Sequence, residues 1–215
     1  MRYPRPTALT RRPAVLLGSL TLGLTLTLTA CGNDEPAADN SAQVSETDHN
    51  DADVAFATDM IQHHAQALSM VDLTVDRTLD PEVQQLAEEI RDAQGPEIET
   101  MSDWLQEWDE EIPATMRDHS NAGHGSDTMG DSMEGMNSDM PGMMSTGDFD
   151  ELENASDADF QTMWLEMMIE HHEGAVEMAQ DQQDDGQYQP AIDLAGDVVD
   201  TQSAEIQTME TLLGS

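Results

Sequence analysis

The sequence predicts an all-α protein: a four-helix bundle built from two tandem helical hairpins and joined by a long methionine-rich linker. Three observations predict it. A block running from Met60 to Met70 (Met-Ile-Gln-His-His-Ala-Gln-Ala-Leu-Ser-Met) returns as Met168 to Met178 (Met-Ile-Glu-His-His-Glu-Gly-Ala-Val-Glu-Met). The offset stays constant downstream, with Leu86 matching Leu194, Gln94 Gln202, Glu97 Glu205, Met101 Met209 and Leu105 Leu213. Apolar residues recur at helical spacing in both copies, and neither hairpin can bury its apolar faces alone. The repeats span about 53–108 and 157–213, within a bundle domain of 52–215.

The first thirty residues read as an export signal rather than fold. Arg2, Arg5, Arg11 and Arg12 precede an apolar run from Val15 to Leu28, too short and Thr-rich to span a bilayer well. Leu28-Thr29-Ala30-Cys31 resembles the lipobox of bacterial lipoproteins, which implies lipidation of Cys31 and a protein held on the extracytoplasmic face of the membrane. Thr10-Arg11-Arg12 leaves the export route open between the general and twin-arginine systems. Cys31 is the only cysteine, so the mature chain has no disulfide. Residues 31–51 read as a flexible tether, with His49 as a linker residue.

Four of the seven Arg lie in that leader and Lys is absent, so three Arg face 45 Asp and Glu in the remainder. This excludes nucleic acid as a partner, since phosphate binding needs basic clusters. It favours cations.

Each helix has its own signals. Asn50-Asp51-Ala52-Asp53 is a cap with an acid three residues on, and a helix follows from Ala52 to about Asp76 on Phe56, Met60, His63, Ala67 and Met70. Asp80-Pro81 starts the second helix, with Asp as cap and Pro at its first turn, and it runs to about Trp108. Gly95-Pro96 lies inside and predicts a kink. From Pro113 to Asp150 there is no Leu, Ile or Val, and such a segment is expected to be disordered when empty of ligand. Ser156 and Asp159 cap the third helix, which Gly186 closes near Asp185. Pro190 opens the fourth.

On a helical wheel centred on His171, Trp164, Met168, Ala175 and Met178 fall within about 60°. His172 sits on the flank. The first copy gives the same wheel, with His63 central and His64 at the edge. A methionine stripe at this spacing is ordinarily core filling. Burying imidazole without a partner is unfavourable, however, and this chain does so twice. Imidazole with thioether is a ligand set for copper, with thioether favouring Cu(I). The candidate ligands are His63, His64, Met60, Met70, His171, His172, Met168 and Met178. A secondary set lies in the linker: His119, His124, Met129, Met133, Met136, Met140, Met143 and Met144.

A di-metal carboxylate oxidase is the rival on this architecture, but it needs Glu-x-x-His pairs on two helices, and here the second and fourth helices offer Gln94-x-x-Glu97 and Gln202-x-x-Glu205. Glu97 and Glu205 are better placed to accept hydrogen bonds from the histidines. A second alternative is an interaction module that displays an acidic surface and binds no metal. No Ser-His-Asp arrangement, phosphate loop or thiol nucleophile points to an enzyme.

Phe56-x-x-x-Met60-Ile61-x-His63-His64-x-x-Ala67-x-x-Met70, with the run Met167 to Ala179, resembles the bacterial family called domain of unknown function 305 over about 52–213. The first copy departs from the family pattern at Ala65-Gln66, where the second has Glu173-Gly174. The resemblance implies a ferritin-like four-helix bundle in an exported protein. It further implies copper binding through paired histidines and nearby methionines, in copper tolerance. The expected partners are metal ions, with an unidentified protein as copper donor or acceptor.

Overall fold

The helices form where the caps and apolar stripes place them. The structure, a computed structural model, describes residues 44–117 and 140–214. The leader, Cys31, His119, His124, Met129, Met133 and Met136 lie outside the described residues. Helix α1 spans Asp51–Asp72, α2 Pro81–Glu107, α3 Thr146–Asn154, α4 Asp157–Asp185 and α5 Gln189–Leu213. The expected four-helix bundle is thus present, with the short α3 added ahead of the second hairpin. None of these helices is long and apolar enough to cross a membrane.

The Asn50 cap forms in full: its side chain accepts from the N–H groups of Ala52 and Asp53, and the Asp53 carboxylate accepts from Asn50 N–H. Asp53 is also fully buried, and accepts from Gln182 Nε2 at 2.6 Å and from the N–H groups of Gln187 and Tyr188. One carboxylate thereby ties the start of α1 to the α4–α5 turn.

Three expectations need correction, and a fourth holds for a different reason. Helix α1 ends at Asp72 rather than near Asp76, because Thr74 Oγ1 turns back to the Val71 carbonyl at 2.7 Å and Asp76 adopts φ 64°. Asp80 does not cap α2 with its side chain; its Oδ2 accepts from Gln161 Nε2 at 2.8 Å instead. Gly186 does close α4 directly after Asp185, but with φ −68° it is required by space and not by a left-handed turn: a Cβ there would stand 2.5 Å from the Gln182 carbonyl oxygen. The end of the tether is docked, with Ser45 bridging Tyr188 and His49 stacking on Trp108 at 4.3 Å between ring centroids. Helix α2 continues through Pro96 without a break.

The largest difference concerns the linker. Its described end, 140–150, is ordered. Met140 and Met144 are buried, as is Phe149 on α3. Methionine is apolar and unbranched, so it fills core space without Leu, Ile or Val.

The core is in two parts. One gathers Ala67, Met70 and Val71 of α1, Val83 to Ile90 of α2, Phe160 to Met168 of α4 and Met209 of α5. The other gathers Phe56 to Ile61 of α1, Met101 to Leu105 of α2, Ala175 and Ala179 of α4, and Ala191 to Val198 of α5. Every long helix passes from one part to the other. Between them, the buried side chains other than Ala65 are histidine or glutamine: Gln62, His63, His64 and Gln66 on α1, Gln94 on α2, His171 and His172 on α4, and Gln202 on α5.

Candidate metal centre

The polar residues that interrupt the core form one layer across the bundle. Helix α1 contributes His63, His64 and Gln66; α2 contributes Gln94 and Glu97; α4 contributes His171 and His172; α5 contributes Gln202 and Glu205. All four histidines are fully buried, and Gln66 with them.

The histidines divide into two roles. His63 and His171 face each other across the α1–α4 contact, with ring centroids 3.8 Å apart. His64 and His172 turn into the hairpin seams. His64 Nε2 donates to Glu97 Oε2 at 2.7 Å, and His172 Nε2 donates to Glu205 Oε2 at 2.9 Å. Both contacts span 33 residues, so the two repeats make the same pair.

The hydrogen bonds determine which ring atoms remain free. A carbonyl only accepts, so His63 Nε2 carries the proton it gives to the Pro141 carbonyl at 3.0 Å. Burial, with the charge of His64 behind it, pushes the His63 pKa down to about 3. The neutral ring therefore presents a bare lone pair at Nδ1. Burial, and then the neighbouring histidines, likewise hold His171 well below the usual histidine range. Both its ring nitrogens lack a hydrogen-bond partner among the described residues, as do the Nδ1 atoms of His63, His64 and His172.

The methionines fall at different heights. Met60 and Met168 are buried one helical turn from their histidines. Met70 and Met178 are seven residues from His63 and His171, which is about 10 Å along the helix axis, outside the layer. Met70 packs in one half of the core, and its carbonyl accepts from Trp164 Nε1. Met178 lines a surface pocket with Phe56, Asp59 and Gln182. These two depart from the expected ligand set because the wheel gives angle and not height.

The linker end closes over the layer. Gln66 Nε2 donates to the Met144 carbonyl at 3.0 Å, and Gln66 Oε1 accepts from Met144 N–H at 2.8 Å. Gly142 has φ 72° and lies against α4, where a Cβ would come 2.5 Å from the Glu170 carbonyl oxygen. A Cβ on Gly174 would come 2.1 Å from the Pro141 carbonyl oxygen. The hook of 140–144 thus rests on Gln66 of one repeat and Gly174 of the other. These are matched positions, where the two copies differ. The difference is visible in the sequence and the contact is not; the broken repeat is the signal that points to it.

No three His, Cys, Asp or Glu side chains among the described residues stand in a ready-made ligating cluster. The layer does supply buried, unpartnered imidazole nitrogen, with thioether one turn away.

The comparisons with known proteins agree with this fold. The sequence model of the family described as "Domain of unknown function (DUF305)" matches residues 53–213. A DUF305 fragment from Deinococcus radiodurans is 28% identical, covers 77% of this chain and 97% of its own, and superposes with a TM-score of 0.61. A DUF305 protein from Streptomyces coelicolor, inferred to be secreted, is 31% identical over 76% of this chain and 92% of its own, with a TM-score of 0.62. CopM in its Cu(II)-bound form is 27% identical over 75% of this chain and 95% of its own, with a TM-score of 0.58. CopM has also been determined in Cu(I)-bound, silver-bound and metal-free forms. No curated protein sequence matches the chain.

Proposed function

The chain belongs to the DUF305 family, and on that footing we propose that it is an exported copper-binding protein which sequesters or hands on Cu(I) and performs no catalysis. One observation carries the reading. Four fully buried imidazoles share a layer, each leaving a ring nitrogen without a partner, and two of them, His63 and His171, are neutral with ring centroids 3.8 Å apart and planes tilted by 41°.

Burying unpaired imidazole costs about 1–3 kcal/mol per group. A soft ion offsets that loss. Cu(I) accepts low coordination numbers and both imidazole and thioether donors, so it needs no preassembled carboxylate cluster. The ligands would be His63, His64, His171 and His172, with Met60 and Met168, and Glu97 and Glu205 would orient the rings through Nε2. The copper and silver forms of CopM support a soft cargo ion. The likeness to the Streptomyces protein supports export. The anchor is proposed to be lipid on Cys31, and the linker methionines and histidines a lower-affinity capture segment.

The test is a titration of the metal-free protein with Cu(I) against a competing chelator, with Zn(II) and Fe(II) as controls. Tight uptake selective for Cu(I) supports the reading. Uptake no stronger than nonspecific binding to the acidic surface would sink it and leave the interaction module.

A further inference from the structure

Gln94 and Gln202 hold matched positions in the two repeats. Both are buried, with 1% and 2% of their surface exposed. Neither the oxygen nor the nitrogen of either amide has a hydrogen-bond partner among the described residues. An unpaired buried amide is unfavourable by itself, and the fold does not need one here. On the same stripes stand Ile90 and Met101 of α2 and Val198 and Met209 of α5, all buried apolar residues. Retention of the amide in both copies is therefore a sign that it faces something other than protein.

Their placement says what. Gln94 lies one turn before Glu97, and Gln202 one turn before Glu205, so each shares a helix face with the carboxylate that holds a histidine ring. Both lie between the two halves of the core, within the polar layer. An amide oxygen is a neutral, hard donor. Combined with imidazole nitrogen it suits divalent copper, which favours tetragonal nitrogen and oxygen ligation, whereas thioether suits the monovalent ion.

We propose that the carboxamide oxygens of Gln94 and Gln202 are metal-ligating atoms of the layer, the hard donors that hold copper there in its divalent state. The inference rests on the copper-binding reading above; CopM has been determined with copper in both oxidation states, and what is inferred for this chain is which of its atoms hold the divalent ion.

The test compares the wild-type protein with the double variant Gln94→Leu/Gln202→Leu. Cu(II) and Cu(I) affinities are measured by chelator competition, the Cu(II) environment by electron paramagnetic resonance, and the metal-free protein by thermal melting. Cu(II) affinity is expected to fall at least about tenfold, with a changed hyperfine pattern, while Cu(I) affinity stays within about twofold. The metal-free melting temperature is expected to hold or rise, because leucine removes an unpaired amide. A second double variant, Gln94→Met/Gln202→Met, supplies thioether at the same places and is expected to shift selectivity from Cu(II) towards Cu(I). Unchanged Cu(II) affinity and hyperfine pattern in both variants would overturn the inference. So would a lower melting temperature of the metal-free leucine variant, since it would give the amides a structural role. A wild-type protein that takes up Cu(I) but not Cu(II) overturns this inference alone. One that takes up neither overturns the copper reading with it.

Discussion

At the scale of the residue, the histidine tautomers decide the chemistry. His63 gives its Nε2 proton to Pro141, and His64 and His172 give theirs to Glu97 and Glu205, so the ring atom each leaves without a partner is Nδ1. The wheel already placed His63 and His171 inward, with their neighbours at the seams. It could not place Met70 and Met178 at their heights, because a helix face says nothing about distance along the axis. Replacing either carboxylate, by Glu97→Gln or Glu205→Gln, is expected to weaken Cu(I) binding about 10- to 100-fold by releasing the ring it orients, as read by chelator competition. Acid is expected to destabilise the metal-free fold. In the unfolded chain His63 and His171 take up protons near pH 6.5, but in the folded chain His63 does so only at about pH 3 and His171 well below the usual range. Below pH 6.5 the unfolded state therefore binds more protons, and stability falls with pH. The slope is about 1.4 kcal/mol per pH unit for each histidine, measurable as a falling urea midpoint between pH 7 and pH 4.

At the scale of the element, the four long helices were legible because their apolar stripes, the caps of α1 and α4 and the first-turn prolines of α2 and α5 are local features. The hook of 140–144 and α3 were not. Their stretch has no Leu, Ile or Val before Leu152, and only the folded bundle shows that Met140 and Met144 bury into it. The hook depends on two glycines for close approach. Gly174→Ala would push a methyl group into the Pro141 carbonyl and is expected to cost about 1–3 kcal/mol, or else to undock the hook. Urea unfolding reads the first outcome, and faster proteolysis near 140–144 the second. Arg77 is the other element-scale tie. It donates to the carbonyls of Leu73, Ala155 and Glu153 and lies 3.9 Å over the Phe160 ring, so it joins the end of α1 to α3 and α4. Arg77→Ala is expected to destabilise the fold by about 2–4 kcal/mol, since it leaves three carbonyls without a donor.

At the scale of the whole molecule, duplication gives two matching hairpins, and charge sets the conditions under which they pack. The formal net charge is −38. The Arg of the described residues are all engaged: Arg91 and Arg117 both pair with Asp72, and Arg77 with Asp157. Most of the acids therefore repel one another. Raising the salt from about 0.01 M to 0.15 M shortens the screening length from about 30 Å to 8 Å, and the melting temperature of the metal-free protein is expected to rise with it. The central claim is that the buried histidine layer holds copper through Nδ1. The most direct measurement is long-range ¹H–¹⁵N NMR of the imidazoles during addition of Cu(I) to the metal-free protein. The Nδ1 signals of His63, His64 and His172 and a ring-nitrogen signal of His171 should shift together, while those of His49, stacked on Trp108, stay in place. Saturation with Cu(I) that leaves these four rings unmoved would contradict the account and put the metal elsewhere in the chain.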